Sequence, residues 1–400
     1  MDSAYHSKMT TTRNPGIDLL RGLAVLLVVL HHINLRFTID GIGVAQLLPH
    51  ALTRVVFWTG YQSVITFFVI SGFLITGLSL KRWGPRLRIS LPVFYRLRAA
   101  RILPTLLLLL AVSSTLHLMA APGFAIKPAV ATLPRALLAA LGMHVNWLEG
   151  HHGYLPGNWD ILWSLSIEEG FYLLFPLACL LLRSRPALVA ALLALIIIGP
   201  INRTVLGDGD PWPDYAWLSC TDGLAFGCLA ALAWHHYRPG RTAARWLLSA
   251  GLLATVLVIV LRGTAQALGL THFSLNITLL EAGIACLLMA FQSGLGTRAL
   301  ATGTSLIRLA GRCSYEIYLS HMFIVLTGTA WFARVVGLHA GRAAILLTYA
   351  MMLTLAVALG WLVSRCFSEP MNQRLRPSLK ALLAAAPLDG VELARPRDPA

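Results

Sequence analysis

Apolar runs of near-constant length dominate this sequence. They fall at about 17–36, 61–80, 102–121, 161–182, 187–201, 215–235, 246–262, 274–292, 313–334 and 343–365. An α-helix rises about 1.5 Å per residue, so roughly 20 apolar residues cross the ~30 Å hydrocarbon core of a bilayer. Inside lipid every backbone N–H and C=O must be satisfied internally, and runs this long and continuous do so as helices. Composition points the same way. Of the 400 residues 57% are hydrophobic and 12% charged, against roughly 25% charged in soluble domains. A soluble fold of this length could not cover so much apolar surface. The expected fold class is therefore an all-α integral membrane protein of about ten transmembrane helices. A disordered chain, a secreted disulfide scaffold and a nucleic-acid-binding domain are excluded.

The charges set the expected topology. Lys and Arg number 32 against 17 Asp and Glu, a net +15. In a soluble protein this excess would suggest a nucleic-acid partner, but in a membrane protein it holds loops in the cytoplasm. Ten spans with the N-terminus inside place 24 of the 32 basic residues on the cytoplasmic side. The stretch 129–148 is interrupted by Pro134, Arg135, His144 and Asn146. As an eleventh span it would turn Arg183, Arg185, the 238–245 cluster and the C-terminal tail outward, so it reads as an outer-surface or re-entrant helix. Both termini are then cytoplasmic. The first run follows Lys8 and Arg13 without a small-residue cleavage site, and reads as an uncleaved span. The resulting division is an N-terminal segment 1–16, a transmembrane domain 17–370 and a poorly ordered cytoplasmic tail 371–400. Six cysteines are scattered singly, so neither a disulfide framework nor a metal site is inferred. Two connections stand out. One is a densely basic inner loop, Lys81–Arg101; the other is a long outer stretch, 122–160, carrying His144, Asn146, Trp147, Glu149, His151, His152 and Asp160. There is no internal repeat of the kind that builds two-half transporters.

Ionisable groups within spans are costly, and each is a functional candidate. The first span carries Arg21 near its cytoplasmic entrance and closes on His31 and His32. Eleven residues make about three turns, so Arg21 and His32 share a face about 16 Å apart along the axis. A histidine accepts and returns a proton near neutral pH, which suits activation of a hydroxyl; equally, a helix-end histidine can simply bond a backbone carbonyl. The fourth span opens with Trp163-Ser-Leu-Ser-Ile-Glu-Glu-Gly-Phe-Tyr172, placing Glu168 and Glu169 in its outer half at the depth of His32. A carboxylate there could orient the histidine, or pair with an arginine instead. Arg98 and Arg101, in Phe94-Tyr-Arg-Leu-Arg-Ala-Ala-Arg-Ile-Leu-Pro104, lie one helical turn apart and could grip a phosphate bidentately or serve as a basic anchor. In Phe67-Phe-Val-Ile-Ser-Gly-Phe-Leu-Ile-Thr76, Ser71 and Gly72 permit close approach of a ligand or of another helix. Ser314, Tyr318 and His321 share one stripe of the ninth span, for a site or for bonds between helices. Asp222 and Glu281 are further buried-charge candidates, and Asp222 could neutralise an arginine. The polar face alone would also suit a multi-span permease or flippase for a glycolipid or small solute.

In order along about 15–370, these segments resemble the membrane acyltransferase 3 family of bacterial O-acyltransferases. The markers are Arg21 with His32, segments 67–76, 94–104, 163–172 and 314–321, and the closing Glu369-Pro370. The chain departs from the family's usual pattern in having Leu97 before Arg98, where a second arginine is usual, and Gly170 after the paired glutamates, where Gln is usual. The resemblance implies acyl-CoA, acetyl-CoA foremost, as donor, and a hydroxyl of a carbohydrate, glycolipid or glycosylated small molecule as acceptor. It implies a site in the bacterial cytoplasmic (inner) membrane, among membrane lipid. It also implies His32 as base or acyl relay with Arg21 beside it, and Arg98 and Arg101 as the donor-binding pair, near Ser71 and Gly72. Glu168, Glu169, Tyr172, Asp222, Ser314, Tyr318 and His321 complete the expected site, and no appended esterase-like domain is expected after the tenth span.

Overall fold

The computed structural model describes residues 13–36, 49–207, 211–296, 300, 302–335 and 341–376. The expected N-terminal segment up to residue 12 and the tail from 377 lie outside the described residues. The chain is an all-α integral membrane protein. Its long helices are α1 (Pro15–Arg36), α2 (Gly60–Trp83), α3 (Leu91–Leu118), α4 (Leu162–Leu182), α5 (Arg185–Leu206), α6 (Trp217–Tyr237), α7 (Arg241–Ile259), α8 (Leu275–Gln292), α9 (Ser314–Val335) and α10 (Arg342–Val363). Among the described residues, nine helices are long and apolar enough to cross a membrane. The remaining long helix, α9, also has 22 residues. Its first turns, however, carry Ser314, Glu316, Ser320 and His321, which dilute its hydropathy.

One segment follows the sequence reading and two boundaries differ from it. The stretch 129–148 forms no span. It breaks into two short helices, Leu133–Leu141 and Val145–His152, with Gly142 ending the first. The basic loop Lys81–Arg101 is largely helical, because α3 starts at Leu91 with Pro92 in its first turn. Proline suits that position, where its missing N–H has no helical acceptor. Arg96, Arg98 and Arg101 are thereby carried onto the helix instead of remaining in a loop. Finally, α10 does not stop near 365. It passes through a π-helical turn, Ser364–Ser368, into a short helix Glu369–Leu375.

The packing is tight where small residues allow it. Helices α2 and α6 cross so closely that a Cβ on Gly72 would overlap the Leu224 carbonyl oxygen, and one on Gly227 would overlap the Val69 carbonyl oxygen. Close approach of backbones is what holds helices together in lipid, where no hydrophobic force acts between them. Gly72 thus serves the helix contact. One core around this crossing joins Phe68, Phe73, Leu224, Cys228, Ile284 and Leu288. A second joins Val25, Val29, Ile33, Leu106, Ile317 and Val325 of α1, α3 and α9.

The two glycines of α2 give opposite expectations. Gly72→Ala forces a methyl group into a carbonyl and should cost about 1–3 kcal/mol. Gly77 has open space around its would-be Cβ, so Gly77→Ala should be neutral or gain up to about 1 kcal/mol from helix propensity. Thermal unfolding of the two variants in detergent checks this, and equal melting temperatures would contradict it.

Candidate active site

The site lies where α1, α2, α3, α4 and α9 meet. Its frame is the parallel pairing of α1 and α9. Arg21 donates through Nε and a terminal nitrogen to the Ser314 hydroxyl, at 3.1 and 2.9 Å. Further along both helices, His321 Nε2 stands 3.3 Å from His32 Nδ1, with ring centroids 5.0 Å apart. Both contacts advance in the same sense along both chains, so α1 and α9 run in the same direction. Ten alternating spans require this of the first and ninth.

The neighbouring carbonyls dictate the histidine tautomers. His32 Nδ1 lies 2.9 Å from the Val28 carbonyl oxygen, and His321 Nδ1 lies 2.6 Å from that of Tyr318. A carbonyl only accepts, so in the neutral rings each Nδ1 carries the hydrogen. His321 Nε2 is then an acceptor turned toward the Nδ1–H of His32. His32 Nε2 keeps its lone pair and has no hydrogen-bond partner among the described residues. The carbonyl bond expected as the bland explanation of His32 is present; it fixes the ring and leaves the far nitrogen open. His31 is held separately, its Nδ1 3.0 Å from the Phe57 carbonyl oxygen.

The glutamates do not orient this histidine. Glu168 Oε1 accepts from the Ser71 hydroxyl at 2.6 Å and from the Tyr172 hydroxyl at 2.5 Å. Glu169 Oε1 lies 3.7 Å from Arg98, whose guanidinium carbon sits 3.7 Å from the centroid of the Tyr172 ring. Arg101 pairs with Glu316 at 3.0 Å, and the same carboxylate oxygen accepts from Ser368 at 2.6 Å. The reason for the difference from expectation is the early start of α3. It lifts Arg98 and Arg101 into the bundle, where two buried carboxylates compensate them. An arginine partner satisfies Glu169, and the position beside His32 is taken by His321.

Three hydroxyl and histidine groups of α9 thus bond across to other helices: Ser314 to Arg21, Tyr318 to Ser164 at 2.7 Å, and His321 to His32. Ser71 faces Glu168 across the α2–α4 contact, while the adjacent Gly72 faces α6. Asp222 lies apart from this group. It accepts from Arg203 at 2.7 and 3.2 Å, with Arg203 also donating to the Ser219 carbonyl oxygen. The arginine that Asp222 neutralises is therefore Arg203. Glu281 is fully buried beside Gly223, next to the same pair.

Sequence reasoning missed Glu316 and Arg203 as partners. Glu316 was visible as a carboxylate in the first turn of a span, inside the very motif that supplied Ser314, Tyr318 and His321. Arg203 was placed beyond an apolar run ending near 201, whereas α5 continues to Leu206. Among the described residues no group of three His, Cys, Asp or Glu side chains converges on a metal site.

A family model described as an acyltransferase domain matches residues 14–365. The chain belongs to this acyltransferase family, which is the class of protein that the fold and the motifs define. Among its relatives is the O-acetyltransferase OatA of Staphylococcus aureus, 32% identical over 237 residues, which are 55% of this chain and 34% of OatA. Another is YrhL of Bacillus subtilis, provisionally named a peptidoglycan O-acetyltransferase, 28% identical over 244 residues, 58% of this chain and 35% of YrhL. The alignments span about a third of the length of these curated relatives. No solved structure matches the chain. An acyltransferase domain built on membrane-spanning helices is what the family match and the fold show.

Outside the long helices, Glu149 supplies a pH test. It is fully buried on Val145–His152, with Oε1 accepting the Leu155 backbone N–H at 3.0 Å. Burial, and after it the neighbouring Asp160 carboxylate, hold its carboxyl well above the usual carboxylate range. A raised folded value means the group favours folding fully below its unfolded value, and that contribution is lost as pH rises through the folded one. Glu149→Gln should therefore flatten the decline in melting temperature on the alkaline side, measured in detergent. A variant curve parallel to wild type would contradict this.

Proposed function

We propose that the chain moves an acyl group, acetyl foremost, from acyl-CoA to a hydroxyl of a carbohydrate or other glycosylated acceptor in the bacterial cytoplasmic membrane. The observation that carries the reading is the His32–His321 pair, with His32 fixed through Nδ1 and its Nε2 lone pair open. A base held in one tautomer, within reach of a hydroxyl, is what acyl transfer to oxygen requires. The acceptor O–H gives its proton to His32 Nε2 while its oxygen forms a bond to the thioester carbonyl carbon. The carbon–sulfur bond then breaks, and the departing CoA sulfur takes the proton back from His32. If the acyl group rests on His32 first, the same nitrogen carries it between the substrates.

Arg98 and Arg101 suit the donor end. Their side chains are 24% and 27% exposed, and guanidinium groups match the phosphates of CoA in charge and geometry. Each is already balanced by a carboxylate, so donor phosphates would compete with Glu169 and Glu316 for them. Arg21, bonded to Ser314, holds α1 against α9 and so sets the register of the histidine pair. Relatives named as O-acetyltransferases support the acetyl group, and the name of YrhL supports a cell-wall carbohydrate among the acceptors.

Radiolabel passing from acetyl-CoA to an acceptor glycan, with pure protein in detergent, tests the reading and would rule out a transport-only role. His32→Ala should lower the rate by about 10²–10⁴-fold, the usual share of a positioned base. His321→Ala leaves the base in place but misaligned, and should cost on the order of 10²-fold in kcat with KM little changed. Full transfer by His32→Ala would sink the proposal. Mass spectrometry of surface glycans with and without the gene identifies the acceptor.

A further inference from the structure

An amphiphilic cavity lies outside the histidine–arginine site. It is an open groove of about 630 Å³ between α3 and the short helix Glu369–Leu375 with the π-helical turn before it. Arg96, Leu103, Pro104, Leu107 and Leu108 line it from α3, and Phe367, Met371, Arg374 and Leu375 line it from the other side. Positions 96, 103 and 107 recur at helical spacing, so they form one stripe. Arg96 lies two residues from Arg98, a rotation of about 200° around the helix. Arg98 and Arg101 therefore turn into the bundle toward Glu169 and Glu316, while Arg96 turns out into the groove.

The groove has a charged end and an apolar end. Arg101 and Ser368 both engage Glu316, which fixes a common level for the two walls. Five residues back from Arg101 is Arg96; six residues on from Ser368 is Arg374. The two walls run in opposite directions, so both arginines sit at the same end, beyond that level. Leu103, Leu107 and Leu108 lie on the other side of it. From Arg96 to Leu107 is eleven residues, or about 17 Å, close to the ~15 Å half-thickness of the hydrocarbon core. Arg96 and Arg374 are exposed and make no ion pair or hydrogen bond among the described residues. Glu369, the acid on the short helix, does not line the groove; it accepts from Gln373. Leu103, Leu107 and Leu375 are also exposed.

We propose that this groove is a binding site for one anionic phospholipid of the membrane leaflet that faces Arg96. The phosphate and the net negative headgroup sit between Arg96 and Arg374, and one acyl chain runs from there past Phe367 along Leu103, Leu107 and Leu108. Two uncompensated guanidiniums favour a headgroup with net negative charge over a zwitterionic one, because a zwitterion brings its own cation to the same place. The site is independent of the acyl-transfer reading.

Native mass spectrometry of the full chain, released from detergent after adding phosphatidylglycerol or phosphatidylcholine, tests the assignment. Wild type should retain phosphatidylglycerol with a preference of about tenfold or more. Arg96→Gln combined with Arg374→Gln should reduce that preference to near one, while Arg241→Gln combined with Arg245→Gln, exposed basic positions elsewhere, should leave it unchanged. Leu107→Trp fills the groove without touching the charges and should lower the occupancy of both lipids. It stands as the independent test where the double arginine variant misfolds. Equal retention of the two lipids by wild type would overturn the proposal, as would a preference untouched by the arginine variant or an occupancy untouched by the tryptophan variant. Displacement of the lipid one-for-one by an acyl-CoA would also overturn it, by giving the groove to the donor.

Discussion

A charge carried into a membrane bundle must meet a partner before it meets lipid. At the centre of a spanning helix an unmatched Arg, Lys or Asp costs about 2.5–3.5 kcal/mol even on lenient scales. Within this bundle that need decides which helices sit side by side. Arg101 finds Glu316 and Ser368, which ties α3 to α9 and to the turn after α10. Arg98 finds Glu169 and the face of Tyr172, which ties α3 to α4. Arg203 finds Asp222 between α5 and α6. Removing either member of such a pair leaves the other as a buried orphan, which is far more destabilising than the pair is stabilising.

The same constraint builds the histidine pair from neutral groups. His32 and His321 carry no carboxylate beside them; each is tethered through Nδ1 to a carbonyl of its own helix, and the two rings face one another. Two neutral imidazoles can share a buried interface without the repulsion two imidazolium ions would bring. A separate polar set lies beside the arginines: Ser71 and Tyr172 donate to Glu168, and Arg98 stacks on the Tyr172 ring. Close helix crossings such as Gly72 against Leu224 hold these groups in register.

Much of the fold was legible because its cause is local. Hydropathy over about 20 residues marked the long helices, and the bias of Lys and Arg argued against a span at 129–148, which the two short helices there bear out. Helix ends were less legible. A proline in the first turn and a run of arginines look like a loop in sequence, yet α3 takes in both because packing against α4 and α9 compensates the charges. The motif residues Ser314, Tyr318 and His321 were visible as a stripe, but their partners were not. Glu316 lay in the same motif and gave no sign of which arginine it would meet.

The sequence by itself determined that this is an all-α membrane protein, where most of its helices run, and which side chains are too polar to be there by accident. It also carried the family motifs, in order, and the family model matches residues 14–365. Only the tertiary structure decided which of those side chains meet. His321 rather than a glutamate stands beside His32, from 289 residues away, and Arg21 bonds Ser314 across 293. Hydropathy and helical period act over a few turns of one helix, whereas a pairing between distant helices is settled by how their surfaces pack and where each charge can be compensated.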